Sequence, residues 1–486
     1  MLTLVKKIAV YCHRWMGVAF CLLFLWWFVS GIFMMYWDYP AVSDADRLEH
    51  SQALDGSKVK LSAEEAWAQV DDSDQVPRSI RLVVFEGRPG YKFLYGTYFG
   101  HEVYADTGEV RGLFTPGMRL RTAAAWTGQP ASAARVELVQ DPDQWTLEGG
   151  LRGLFPLWKY SWPNGDQVYV DWPNEVVQYT TRSSRLFAHL GPIPHWLYYA
   201  PLRKNGPLWS KVVIWLSGIA TVAALMGLIV GLMMYSPTRR KSIPYTGQKR
   251  LHHILGLFFG IVACTWAFSG MLSMDPFPIS SEVSEDPGIA NALRGKRPPL
   301  SEYAAKDPHE ALTQLGSAFK TKQLEFTSFA GEPVYIATGE QGAIRVIPLK
   351  GVPAESFDYE RILNVLPNVA EARLMTQYDA YYLDRRGERP LPVLLVEIND
   401  AERSRYYIDP KTAKVVGTYR SNAASWVNRW LYHGLHSINF PWLYTHRPAW
   451  DLVVLTLMLG GTSLCVTSVI IGFQLLRRKL FPRRSP

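Results

Sequence analysis

The sequence predicts an α-helical membrane protein with four transmembrane helices, arranged as two tandem parallel repeats, and α+β modules on the outer side. Three observations carry this. Four windows, 15–37, 212–235, 254–274 and 452–476, contain no Asp, Glu, Lys or Arg, and crossing a bilayer takes about 20 apolar residues. Basic residues gather beside these windows at three places with no acidic residue among them. The chain also repeats itself: a shift of 239 puts His13 on His252, Gly17 on Gly256, Phe20 on Phe259, Trp27 on Trp266, Ser30 on Ser269 and Gly31 on Gly270 without a gap.

The elements follow in order. Residues 1–14, with Lys6, Lys7 and Arg14, form a cytoplasmic N-terminus. The run 15–37 is too long for a signal-peptide core and lacks a small-x-small cleavage site, so it reads as a retained helix. Residues 38–208 form the first outer module. "LSAEEAWAQV" opens a helix with a capping serine, and "SIRLVVFE", "GYKFLYG" and "HEVYADTGEVRG" read as strands. The second helix, 212–235, carries the small-xxx-small pair "GLIVG". A basic loop, 236–251, holds Arg239, Arg240, Lys241, Lys249 and Arg250. After the third helix, 254–274, comes the second outer module, 275–448, with "PVLLVEIN" and "RYYIDPKTAKVVG" as strands and a loosely ordered 276–299. The fourth helix, 452–476, ends in a tail, 477–486, with Arg477, Arg478, Lys479, Arg483 and Arg484.

The excess of cations on one side places both termini and the middle loop in the cytoplasm and the two long loops outside. These thirteen cations also explain the net charge of +8. The other 38 Lys and Arg against 43 Asp and Glu leave −5, so the basic balance reflects topology, and nucleic acid is not expected as a partner. The partner expected of the helices is membrane lipid. All four cysteines lie in or beside the apolar windows, which excludes a disulfide framework or a thiolate zinc site in the outer modules. "DDSDQ" (71–75) lacks the Gly and Glu of a calcium loop and reads as a solvated turn. No G-x-G-x-x-G and no G-K-[ST] occurs, so the chain shows no nicotinamide, flavin or ATP site of its own.

Histidine is the informative residue. Repeat symmetry brings His13 and His252 face to face near the cytoplasmic surface, with His253 adjacent. Gly17 and Gly256 follow four residues later on the same helix faces and would leave a flat wall for a planar ring. On the outer side, "AHLGPIPHWLY" (188–198) and "YHGLHSINFPWLY" (432–444) hold His189, His195, His433 and His436, the last two on one face if that segment is helical. Two neutral imidazoles suit the axial sites of a haem built for electron transfer. Covalent attachment needs C-x-x-C-H, and Ala9 stands where the first cysteine would be, so any haem is of b type.

The motifs "HRWMG…SG" (13–31), "IPHWLYYAPLR" (193–203), "LHHILGLFFG…WAFSGMLSM" (251–274) and "LYHGLHSINFPWLYTHRPAWD" (431–451) resemble the PepSY-associated transmembrane family of bacterial inner-membrane proteins. The resemblance implies PepSY-like outer modules, a location in the inner membrane, and a haem-dependent reductase of the ferric-siderophore type with two b haems. It implies ligands at His13, at His252 or His253, at His195, and at His433 or His436, and it favours His195 over His189. The expected route runs from a separate cytoplasmic reductase or quinol, through an inner site of His13 and His252, to an outer site of His195 with His436 or His433, and on to a ferric siderophore outside. Two other readings remain at this stage. One is a non-enzymatic module that binds a peptidase or senses a ligand; the other is a metal transporter, for which four helices without an intramembrane carboxylate make a poor ion path.

Overall fold

A computed structural model describes residues 2–71, 76–95, 100–112, 114–237, 242–276 and 287–481. The cations Arg239, Arg240, Lys241, Arg483 and Arg484, most of "DDSDQ" and much of 276–299 lie outside the described residues. Four helices are long and apolar enough to cross a membrane: α1 (Leu2–Met34), α2 (Gly206–Met234), α3 (Gly247–Leu272) and α4 (Ala449–Leu480). α1 and α3 begin well before the apolar windows they contain. Hydropathy marks the lipid-facing stretch, whereas backbone hydrogen bonds carry the helix further. His13 and His252 therefore sit inside helices with turns on either side, which fixes their direction. α2 packs on α3 and α1 on α4, and α4 also lies along α3.

Close approach of α4 depends on two glycines. A side-chain carbon at Gly460 or Gly461 would fall inside the ring of Phe259 or Phe28, respectively. The bare backbone lets both rings seat against the helix, as small residues do at membrane helix contacts.

Among the described residues, fourteen strands form three antiparallel sheets, all from the two long loops between the membrane helices. β1 (Ser79–Phe85), β2 (Arg88–Leu94) and β3 (Gly100–Tyr104) come from the first long loop. β8 (Thr321–Phe329), β9 (Glu332–Gly339) and β10 (Ile344–Pro348) come from the second. They form one six-stranded sheet in the order β10-β9-β8-β1-β2-β3. The two loops thus share a sheet, and the β1–β8 pairing covers an edge that each three-stranded meander would otherwise expose. β4 (Arg135–Val139), β5 (Leu157–Ser161), β6 (Gln167–Val170) and β7 (Val176–Thr180) make a second sheet. β11 (Val369–Met375), β12 (Val393–Ile398), β13 (Arg405–Asp409) and β14 (Lys414–Tyr419) make the third. Arg385 Nη1 donates to the Met34 carbonyl at 3.0 Å, and Asp38 is bound by both Arg385 and Arg386. These bonds tie the sheet-bearing layer to the end of α1.

One carboxylate in this layer is out of its usual range. Burial raises Asp171, at the β6–β7 turn, from 3.8 to about 7, against the opposing pull of Lys92 and Arg47. Its folded value exceeds its unfolded value, so the fold holds the proton more tightly than the unfolded chain. Stability is then fully present below about pH 4 and declines as the pH rises to about 7. Asp171→Asn keeps the bond that Asp171 Oδ1 accepts from the Glu175 amide at 2.7 Å and removes the titration. Thermal melts in detergent should show the wild type losing stability from pH 5 to pH 8 relative to this variant; parallel curves would refute the assignment.

Candidate functional site

The four helices bring the predicted histidines into two pairs. At the basic-flanked end, the His13 ring on α1 and the His252 ring on α3 have centres 6.2 Å apart and planes 28° apart. Toward the sheet-bearing end, His195, at the close of the short helix Pro192–His195, faces His436 with centres 5.9 Å apart. Along α1 the turn carrying His13 and the turn carrying Trp27, which contacts His195, are about 21 Å apart.

Each imidazole of the outer pair is held in the same way. His195 Nδ1 lies 3.2 Å from the Trp27 carbonyl and 3.1 Å from the Ser30 hydroxyl. His436 Nδ1 lies 3.1 Å from the Ser269 hydroxyl and bonds the Trp266 carbonyl. Trp27 and Ser30 match Trp266 and Ser269 at the offset of 239. A carbonyl only accepts, so Nδ1 carries the hydrogen in both rings and Nε2 keeps its lone pair. Burial, and for His195 the neighbouring His436, holds His195 down to about 3, and burial holds His436 down to about 4. Both rings are neutral across the physiological range, the form that binds metals.

The inner imidazoles, carried by α1 and α3, are flanked by α2 and α4. His252 Nδ1 lies 3.1 Å from the Thr467 hydroxyl and 3.3 Å from that of Ser468, beside the Leu464 carbonyl. His13 lies beside the Ala223 carbonyl, although its Nδ1 closes no hydrogen bond of ordinary geometry. Ala223 and Leu464 are related by an offset of 241, the same offset that puts "PLWSKVV" (207–213), at the start of α2, on "PAWDLVV" (448–454), at the start of α4. Gly227 supports His13 directly: a side-chain carbon there would stand 2.7 Å from His13 Cε1.

A cavity of about 580 Å³ opens around the outer pair, lined by Trp27, Phe28, Gly31, Trp266 and Gly270 as well as the two imidazoles. Its walls are mostly apolar, with ten Phe, Trp and Tyr rings among them. Trp266 Nε1 donates to the Leu435 carbonyl at 2.9 Å, whereas the equivalent Trp27 Nε1 is buried with no acceptor. At the inner pair, a side-chain carbon at Gly17 would meet nothing within 4 Å, and one at Gly256 would meet only Leu464 Cδ1 at 3.9 Å. No neighbouring side chain therefore fills the place beside either glycine, one turn along from each inner imidazole.

These observations fit a bis-imidazole metallocycle. An imidazole nitrogen stands about 1.1 Å from its ring centre and binds a first-row metal at about 2.0–2.1 Å, so opposed ligands set ring centres about 6.2 Å apart. Both pairs have that spacing. Among the described residues no group of three or more His, Cys, Asp or Glu is gathered as for a protein-only metal site.

The other candidates lie elsewhere. His253 is buried with its ring 5.7 Å from Tyr245. His189 meets the edge of Trp145 at 5.4 Å. His433 packs on Tyr432 at 4.3 Å, near Arg429 and Arg389. Val427–Gly434 is a π-helix and α-helical turns resume at Leu435–Ser437; Tyr432 touches both rings, and it is His436 that faces His195. π-helical turns are common at functional sites. Sequence reasoning registered Ser30, Ser269, Trp27 and Trp266 as repeat markers and missed them as supports for the imidazoles. The Ala223 and Leu464 carbonyls left no side-chain signal.

Residues 10–316, more than half of the chain, match the family model described as the PepSY-associated TM region. No curated protein and no solved structure matches the chain.

Proposed function

The chain belongs to the PepSY-associated transmembrane-region family, and from that premise we propose that it is a membrane oxidoreductase with two b-type haems that reduces an extracytoplasmic ferric chelate of the siderophore type. The observation that carries this reading is the two imidazole pairs, one residue from each half of the chain in both, with ring centres 6.2 and 5.9 Å apart and sequence offsets of 239 and 241, toward the two ends of one helical bundle. His13 and His252 hold the inner haem, and His195 and His436 hold the outer one. When bound, such haems supply reversible one-electron chemistry at two depths of a slab about 30 Å thick.

The protein's residues do the rest. The Trp27 and Trp266 carbonyls fix the tautomer of the outer imidazoles, and Ser30 and Ser269 add a second acceptor for each Nδ1–H. The apolar walls exclude water from the outer cavity. Trp27 Nε1 and Arg385 offer donors at its rim for carboxylates of the cofactor. In this reading the basic flanks lie in the cytoplasm, the sheets face the periplasm, and the electrons come from a separate cytoplasmic reductase or quinol. Reduction then releases the metal, because ferrous iron is held less tightly by a hard oxyanion chelator.

The purified protein should be red, with a b-type pyridine haemochrome at about two haems per chain. Adding a ferric chelate to the anaerobically reduced protein should reoxidise it and yield ferrous iron that a ferrous-specific dye captures. A colourless preparation from haem-sufficient cells, or a reduced protein indifferent to the chelate, would defeat the proposal. A finer outcome concerns the serines. Ser30→Ala with Ser269→Ala leaves the carbonyl bonds in place, so haem content stays the same. Loss of an acceptor lowers ligand basicity, so the outer midpoint potential moves upward; a redox titration that returns unchanged potentials would show the hydroxyls to be bystanders.

A further inference from the structure

A second cavity, of about 720 Å³, lies in the extramembrane layer where β1 meets β8. These central strands pair over only three residues each, 80–82 against 324–326. Beyond them Ser79 stays with Leu94 of β2, and Thr327 and Ser328 stay with β9. The two strands therefore part, and a cleft opens along the seam between the halves of the chain.

The cleft is cationic. Arg78 and Arg81 from the first half of the chain, Arg294 and Arg297 from the second, and Lys414 at the start of β14 line it. The carboxylates among its described lining residues are Glu64 and Glu325. Glu325 lies opposite Arg81 in the strand register, yet it is bound to Lys414 at 2.9 Å. No carboxylate among the described residues pairs with any of the four arginines. Arg81 Nε is buried with no acceptor, a costly state unless a partner arrives. Arg297 Nη1 donates to the Pro77 carbonyl at 2.8 Å, which joins the two halves here. Trp67, Tyr303 and Phe326 supply an apolar floor.

We infer that this cleft binds a small molecule bearing several carboxylates. The volume is that of a small-ligand site. Planar guanidiniums grip oxyanions in a two-pronged way. Here four of them come from two separate segments of the chain, 78–81 and 294–297, and four guanidiniums offer more grips than a single compact phosphate needs, which suits several carboxylates. The aromatic floor accepts the ligand's carbon body. This site is separate from the imidazole pairs and does not depend on the redox reading.

Isothermal calorimetry on the full chain in detergent, with tricarballylate and inorganic phosphate as probes, tests the inference. Tricarballylate should bind saturably and weaken as salt is added. Arg78 and Arg294 are exposed, so Arg78→Gln with Arg294→Gln should leave the thermal melt unchanged and lower affinity about tenfold or more. Arg135→Gln, on exposed β4, serves as the control and should change nothing. The inference is overturned if tricarballylate does not bind saturably, if phosphate binds as tightly, or if the double variant keeps wild-type affinity. Haem content should be the same in every variant, so failure here and failure of the redox reading are told apart.

Discussion

On the two-haem proposal, His13→Ala should remove one haem per chain and leave the other. The inner pair has only two imidazoles, 6.2 Å apart, and His253 cannot substitute because its ring is packed at Tyr245. With one imidazole gone, His252 alone would be left to hold a group that the pair would otherwise hold together, and the inner haem should be lost. The outer pair rests on separate supports, Trp27, Ser30, Trp266 and Ser269, about 21 Å further along the helices, so it survives. The pyridine haemochrome should fall by half, and one of two low-spin resonance signals should disappear. His252→Ala should do the same, while His253→Ala should keep both haems. The outer pair gives the parallel contrast: His436→Ala loses the outer haem and His433→Ala does not. Loss of both haems or of neither in His13→Ala would end the two-site assignment.

Much of this was legible in the sequence because lipid imposes a strong filter. Charge-free windows announce the four helices, and an offset that carries His, Gly, Trp and Ser together announces the inner pair. The limits are equally physical. The choice of His436 over His433 depends on which ring tertiary packing brings to His195, and the local sequence "YHGLH" offers both. The choice of His252 over His253 depends on which face of α3 meets α1. The carbonyls of Ala223 and Leu464 act through backbone, so residue identity carries no trace of them. The shared six-stranded sheet is hidden for a different reason: β1 and β8 are more than 230 residues apart, and nothing in either strand's alternation names its partner. The cationic cleft follows from that pairing and from where it stops, so it too appears only in three dimensions.

Gly227 offers the most selective test of the inner site. A side-chain carbon there would lie 2.7 Å from His13 Cε1, 3.2 Å from Nδ1 and 3.6 Å from Nε2, and these are its nearest neighbours. All three atoms belong to the end of a rotatable side chain. Gly227→Ala is therefore absorbed by turning the imidazole, without moving α1 against α2, and the helices should assemble as before. What is lost is the position of the ring relative to His252. The variant should express normally and keep its outer haem, while inner haem affinity falls roughly 10- to 100-fold, the range seen when a ligand's support is disturbed. Transfer of haem to an apo-globin acceptor measures this directly. The equivalent place beside His252 is held by Ser468, whose hydroxyl is 3.3 Å from His252 Nδ1. That half already accommodates a side chain, and Thr467 at 3.1 Å supplies a second acceptor, so Ser468→Ala should retain the inner haem. The repeat thus predicts opposite outcomes for two matched positions. A globular packing role for Gly227 would instead lower the thermal stability of the whole bundle and weaken both haems together.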